Sequence, residues 1–172
     1  MHDNTPLAMV SAIASFLQEN LKDMRFPSKN GIEKTVTVHK GYLPPIKNLK
    51  RGEEQESDDY PFVIVRYLGE EDDTDKEKCI LNFRILLGAF NDDAQNGWKD
   101  VVGLSTRIKF LLKRQKFIGS GELTGKIETA IYEEQMKPTW HGVMDVNFKM
   151  HSAQQEIGGM IEDDFFAKNY QK

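Results

Sequence analysis

Between positions 78 and 90 the chain reads KCILNFRILLGAF. Cys79, Leu81, Phe83, Ile85, Leu87 and Ala89 recur with the two-residue period of a β-strand, and every one of them is apolar. Ile80, Asn82, Arg84, Leu86 and Phe90 take the opposite face, which mixes polar with apolar side chains and is therefore only partly covered. After a polar connector, residues 91–97, the period changes. Val101, Leu104, Ile108, Leu111 and Leu112 fall on one helical stripe between Trp98 and Lys116, with Asn96 as the expected cap. A long strand with one wholly apolar face, followed at once by an amphipathic helix, calls for a sheet covered by helices on one side.

The rest of the chain extends this pattern. TPLAMVSAIASFLQENLKD predicts a first helix, with Thr5 as N-cap, Pro6 at the first helical position, and Val10, Ile13, Leu17 and Leu21 on one stripe. TVTVHKGYL, residues 35–43, predicts a strand with Val36, Val38 and Tyr42 on one face, ended by Pro44 and Pro45. YPFVIVRYL predicts the partner of the 78–90 strand, joined to it by GEEDDTDKE as a hairpin loop with a solvated tip. IGSGELTG predicts a tight turn after the second helix. Two more strands follow, GKIETAIYEEQ with Ile127, Thr129 and Ile131 alternating, and GVMDVNFKM with Met144, Val146, Phe148 and Met150. Pro138 in MKPTWH places a turn between them. The expected fold is α+β, a single domain over residues 1–151. Its sheet is mostly antiparallel, with two helices packed on one face in the order α-β-β-β-α-β-β. Residues 44–59 are expected to form a mobile loop, and residues 152–172 a flexible C-terminal tail jointed at Gly158 and Gly159.

Composition narrows the function. A chain of 172 residues makes one domain and buries about two-thirds of its unfolded surface. A net charge of −4 argues against a dedicated nucleic-acid binder, which carries a basic footprint. The single cysteine, Cys79, allows no internal disulfide and no Cys-rich zinc site, which suits a reducing compartment. No basic leader segment opens the chain, and its apolar runs fall short of the roughly 18–20 residues that span a bilayer. The expectation is a protein made and folded in a cytoplasm, without a membrane partner.

No catalytic constellation stands out. His2, His39, His141 and His151 lie on different elements, and no HExxH, CxxC, GxSxG or phosphate-loop motif occurs. Asp92 and Asp93, with Asp100 a turn later, have the chemistry to hold Mg²⁺, but acids at a helix start are favoured there by the helix dipole alone. Glu70, Glu71, Asp72, Asp73 and Asp75 lack the spacing of a calcium loop and read as a solvated tip. Glu133 and Glu134 are neighbours on a strand and point to opposite faces. The expectation is no catalytic residue, no metal and no cofactor.

The charged surfaces are more informative. Lys99, Arg107, Lys109, Lys113, Arg114 and Lys116 share the polar face of the second helix. Such a face is either simply solvated or docked on an acidic surface, including the acidic segments 53–59 and 70–75 of a neighbouring copy. Trp98 and Trp140 each either anchor an interface or plug an end of the core. The candidate interface residues are Trp98, Arg107, Lys109, Lys113, Arg114, Trp140, Glu70, Glu71, Asp72 and Asp73.

Three stretches, PFVIVRYLGEEDD, FRILLGAFNDDAQNGWKDVVGLSTRIKFLL and YEEQMKPTWHGVMDVNF, together resemble the tail terminator (tail completion) proteins of tailed bacteriophages and related prophages. The likeness is strongest to versions found with Gram-positive prophages and phage-like particles. It covers residues 60–150. It implies a small sheet with two helices on one side and no enzymatic activity. It also implies a homo-hexameric ring that closes the head-proximal end of the tail tube and stops its polymerisation. Exposed ion pairs contribute only about 0–1 kcal/mol each, so the free chain is expected to be monomeric when dilute. The implied partners are the tail tube protein, the head–tail connector or neck protein, the tail sheath, and genomic DNA threading the ring without sequence-specific contacts. The implied location is the virion tail, assembled in the host bacterial cytoplasm. Two other readings compete: a head–tail joining (neck) protein of the same assembly, and a cytosolic metal-dependent hydrolase using Asp92, Asp93 and His141.

Overall fold

The computed structural model describes residues 4–44, 59–73, 75 and 78–151. Its elements are α1 (Pro6–Leu21), β1 (Arg25–Phe26), β2 (Lys34–Thr35), β3 (Thr37–Lys40), β4 (Phe62–Asp73), β5 (Lys78–Phe90), α2 (Trp98–Gln115), β6 (Phe117–Ile118), β7 (Gly121–Ile131) and β8 (Thr139–His151). The expected loop at 44–59 and tail at 152–172 lie almost wholly outside the described residues.

Six strands form one sheet in the order β3-β4-β5-β8-β7-β6, and β1 pairs with β2 as a separate ribbon. All pairings are antiparallel except β3 on β4, which is parallel. The α+β class, the single domain and the mostly antiparallel sheet follow the sequence expectation. The parallel edge strand does not. Alternation reports which face a strand buries but not which way it runs, and a long connection between β3 and β4 leaves either direction open.

One face of the sheet carries the core. Val63 and Val65 of β4, the predicted set from Cys79 to Ala89 of β5, and Met144, Val146, Phe148 and Met150 of β8 are buried. The stripes of α1 (Val10, Ile13, Leu17, Leu21) and α2 (Val101, Leu104, Ile108, Leu111, Leu112) are buried against them in the same cluster. Each such apolar side chain contributes about 1.5–3 kcal/mol before chain entropy is subtracted. Thr5 caps α1 as predicted, its Oγ1 accepting from the Ala8 N–H at 3.2 Å.

Local departures have local causes. The 35–43 strand is cut to Thr37–Lys40 because Gly41, at φ 72°, turns the chain before the prolines are reached. Tyr42, expected to share a face with Val36 and Val38, lies past this turn and is 72% exposed beneath the Arg66 guanidinium, 4.3 Å from its ring centre. The outer edge of β3 is met by α1: the Gln18 side chain donates to the Val36 carbonyl at 3.2 Å and accepts from the Val38 N–H at 2.8 Å. Residues 69–73, read as hairpin loop, continue β4. A register shift between Tyr67 and Gly69 lets the strand resume, and Glu70 to Asp73 pair with Leu81 to Lys78. Asn96 does not cap α2. Gly97 stands at the cap, and Asn96 instead binds back to Asp93. Phe90, assigned to the partly covered face, is buried.

Candidate interaction surfaces

The connector between β5 and α2 is built as a fixed platform. The Asp93 carboxylate accepts from the Gln95 and Asn96 backbone N–H groups and from the Asn96 side chain, each at 2.9 Å. These bonds, the Asn96 side chain foremost, hold the Asp93 pKa below its usual value. Asn91 donates to Asp100 and accepts from the Asp93 N–H. Trp140 closes the platform from below. Its indole N–H donates to the Asn91 carbonyl at 3.0 Å, and its ring lies against Gly97. At 4% exposure Trp140 is a core plug, so its candidacy as an exposed interface anchor is withdrawn. Trp98, 42% exposed at the start of α2, keeps a surface to offer.

The basic face of α2 divides in two. Lys109, Lys113 and Lys116 line a groove of about 860 Å³ between α2 and β7, together with Lys126, Glu122 and Glu128. Lys116 pairs with Glu122 at 2.7 Å. Arg107 and Arg114 stand outside the groove, and Arg114 leans over the exposed Phe110 ring. Helical spacing already sets Arg107 and Arg114 on one flank of the apolar stripe and Lys109 and Lys113 on the other; β7 packs along the second flank and makes it a groove.

The acidic candidates lie at the other side of the sheet. Among the described residues, β3 pairs with β4 only from Phe62 to Val65, so the edge that carries Glu70, Glu71, Asp72 and Asp73 has no strand beside it. Glu70 and Glu71 are exposed. Glu70 comes within 3.9 Å of the Cys79 sulfur; burial first, and then this carboxylate, push the Cys79 thiol pKa up, which keeps it protonated and unreactive.

The uncovered face of the sheet holds two groupings that single-strand patterns do not reveal. Arg84 and Asp145, cross-strand partners on β5 and β8, form a two-pronged ion pair at 2.7 Å and 2.7 Å. Toward the Thr139 end of β8, His141 meets the Tyr60 hydroxyl at 2.7 Å through Nε2, lies near Phe62, and stacks on Tyr132. Burial among these rings lowers the His141 pKa from 6.5. Three separate chain segments supply this cluster, so only cross-strand register brings it together.

Asp92, Asp93 and His141 are not brought together as one metal-holding group among the described residues. Asp93 is spent on the connector, His141 on the aromatic cluster, and among the described residues no group of three or more His, Cys, Asp or Glu side chains is placed to hold a metal. Nor, among them, is any helix long and apolar enough to cross a membrane. The arrangement defines a single α+β domain whose most differentiated features are charged and half-exposed surfaces. No protein-family profile and no curated protein sequence matches the chain.

Proposed function

We propose that this chain is a phage tail terminator, a structural subunit that assembles as a ring on the head-proximal end of a tail tube. The ring, of six copies by the resemblance, stops the tube's polymerisation, presents a face to the head–tail connector or neck protein, meets the sheath where there is one, and lets genomic DNA pass. The observation that carries the reading is where the resembling stretch sits in the fold. Residues 60–150 hold all four long strands and α2, and they expose a braced connector and a basic helix face. A subunit that must meet neighbours repeatedly in one geometry needs surfaces held by a rigid sheet, as this connector is.

The test is assembly of tails from tube protein with and without this chain, viewed by electron microscopy. Tubes of uniform length bearing a terminal ring only when the chain is present support the proposal. Tubes of uniform length without it, which fail only to join heads, would move the chain to the neck.

A further inference from the structure

The two charged edges lie at opposite ends of the same rows of the sheet. Glu70 pairs with Leu81, Leu81 with Phe148, and Phe148 with Leu123, whose N–H donates to the Lys116 carbonyl at 2.7 Å. In the next row Glu71 pairs with Ile80, Ile80 with Lys149, Lys149 with Glu122, and Glu122 with Phe117. One end of both rows is therefore acidic, and the other ends at the lysine-lined groove. Each end also exposes one large apolar side chain: Leu68, 50% exposed, beside the acids, and Phe117, 59% exposed, next to Lys116.

We infer that the groove between α2 and β7 receives the Leu68–Glu71 edge of a second copy of this chain, in a head-to-tail contact. The match holds in level, in face and in charge. Level follows from the shared rows, so a copy set alongside needs no shift along the strands. Face follows from register: Glu70 pairs with buried Leu81, which puts it on the helix-covered side, where α2 presents Lys109 and Lys113. Charge follows from composition, since the groove sets four lysines against two glutamates, one of them already paired with Lys116. Leu68, set against Leu123 and Ile127 of the groove wall, supplies apolar contact that exposed ion pairs cannot replace.

The competing account is that lysines and the β7 bulge merely guard an edge against unwanted pairing. A lysine guard, however, rejects neutral and basic strands while admitting an acidic one, and the chain carries such a strand at the same level. The edge of β3 has a different guard, the Gln18 amide on its backbone. Because the two surfaces differ, the contact repeats from copy to copy and closes into a ring if the rotation permits. This inference deepens the ring reading by naming its contact, yet its test is independent of tails.

The test uses two single-cysteine variants in a Cys79→Ala background, Glu70→Cys and Lys113→Cys, treated with a short bismaleimide. Covalent dimers in the mixture, and none from either variant alone, are the expected result. Dimers from one variant alone mean a symmetric contact and overturn the inference. So does an absence of mixed dimers at the highest soluble concentration. In otherwise wild-type pairs, Lys109→Glu with Lys113→Glu should weaken self-association by about tenfold or more, and Glu70→Lys with Glu71→Lys in the partner should restore it. If the mixed dimers form while tail length is indifferent to the protein, the tail reading fails and this contact stands.

Discussion

The Trp140 indole donates to the Asn91 carbonyl across 3.0 Å, tying the start of β8 to the connector that leads into α2. A Cβ added at Gly97 would fall 2.2 Å from Trp140 Nε1, so glycine is needed there for the ring to pass. Gly97→Ala should destabilise by about 1–3 kcal/mol through overpacking, although its backbone angles suit alanine. Trp140→Ala should cost about 3–5 kcal/mol. Chemical denaturation checks both, and the double variant should cost less than the sum, because the two share one contact.

Asp92 and Asp93 look equivalent in sequence and differ in structure. Asp93 accepts three hydrogen bonds within the connector, which favour its charged form. Asp93→Ala should lower the thermal midpoint, and Asp92→Ala should leave it near wild type. Since the folded state depresses the Asp93 pKa below 3.8, its contribution is complete above that value and fades as pH falls below it. Thermal melts of the two variants across acidic pH check this.

His141 should make the fold sensitive to mild acid. Its folded pKa lies below the free value of 6.5, so the unfolded chain takes up the proton first. The contribution is therefore fully present above 6.5 and is lost as pH falls from there through the folded pKa. His141→Gln should flatten the stability profile in that window while lowering stability at neutral pH, because the Tyr60 hydroxyl loses its ring partner. Urea titrations on either side of the window provide the measurement.

The division of the α2 cations gives a functional prediction. If the groove forms the ring contact, Lys109→Glu with Lys113→Glu should yield tails of irregular length. Arg107→Glu with Arg114→Glu should leave length uniform, since neither arginine lines the groove. Equal effects from both pairs in electron micrographs would mean that overall charge, not the groove, governs assembly.

Side-chain period alone set which face α1, α2, β5 and β8 bury. The stripes of α1 and α2, and the alternation in β5 and β8, are set by side-chain period, and the structure buries them as written because removing apolar surface from water dominates the free energy. The Thr5 cap was legible for a similar reason, since it needs only neighbours in the chain. Contacts between distant segments account for the rest. The acids 70–73 became strand because β5 offered them a ladder, which no loop composition reveals. Trp140 became a plug because Gly97 and Asn91, more than forty positions away, arrive beneath it. The Lys109 and Lys113 flank of α2, already set apart from Arg107 and Arg114 by the helical period, became a groove when β7 packed along it, and Glu70 and Lys116 came to share a sheet level through successive registers. Periodicity is a local property and survives in a single segment. Register and level are relations between segments, fixed only when the strands pair.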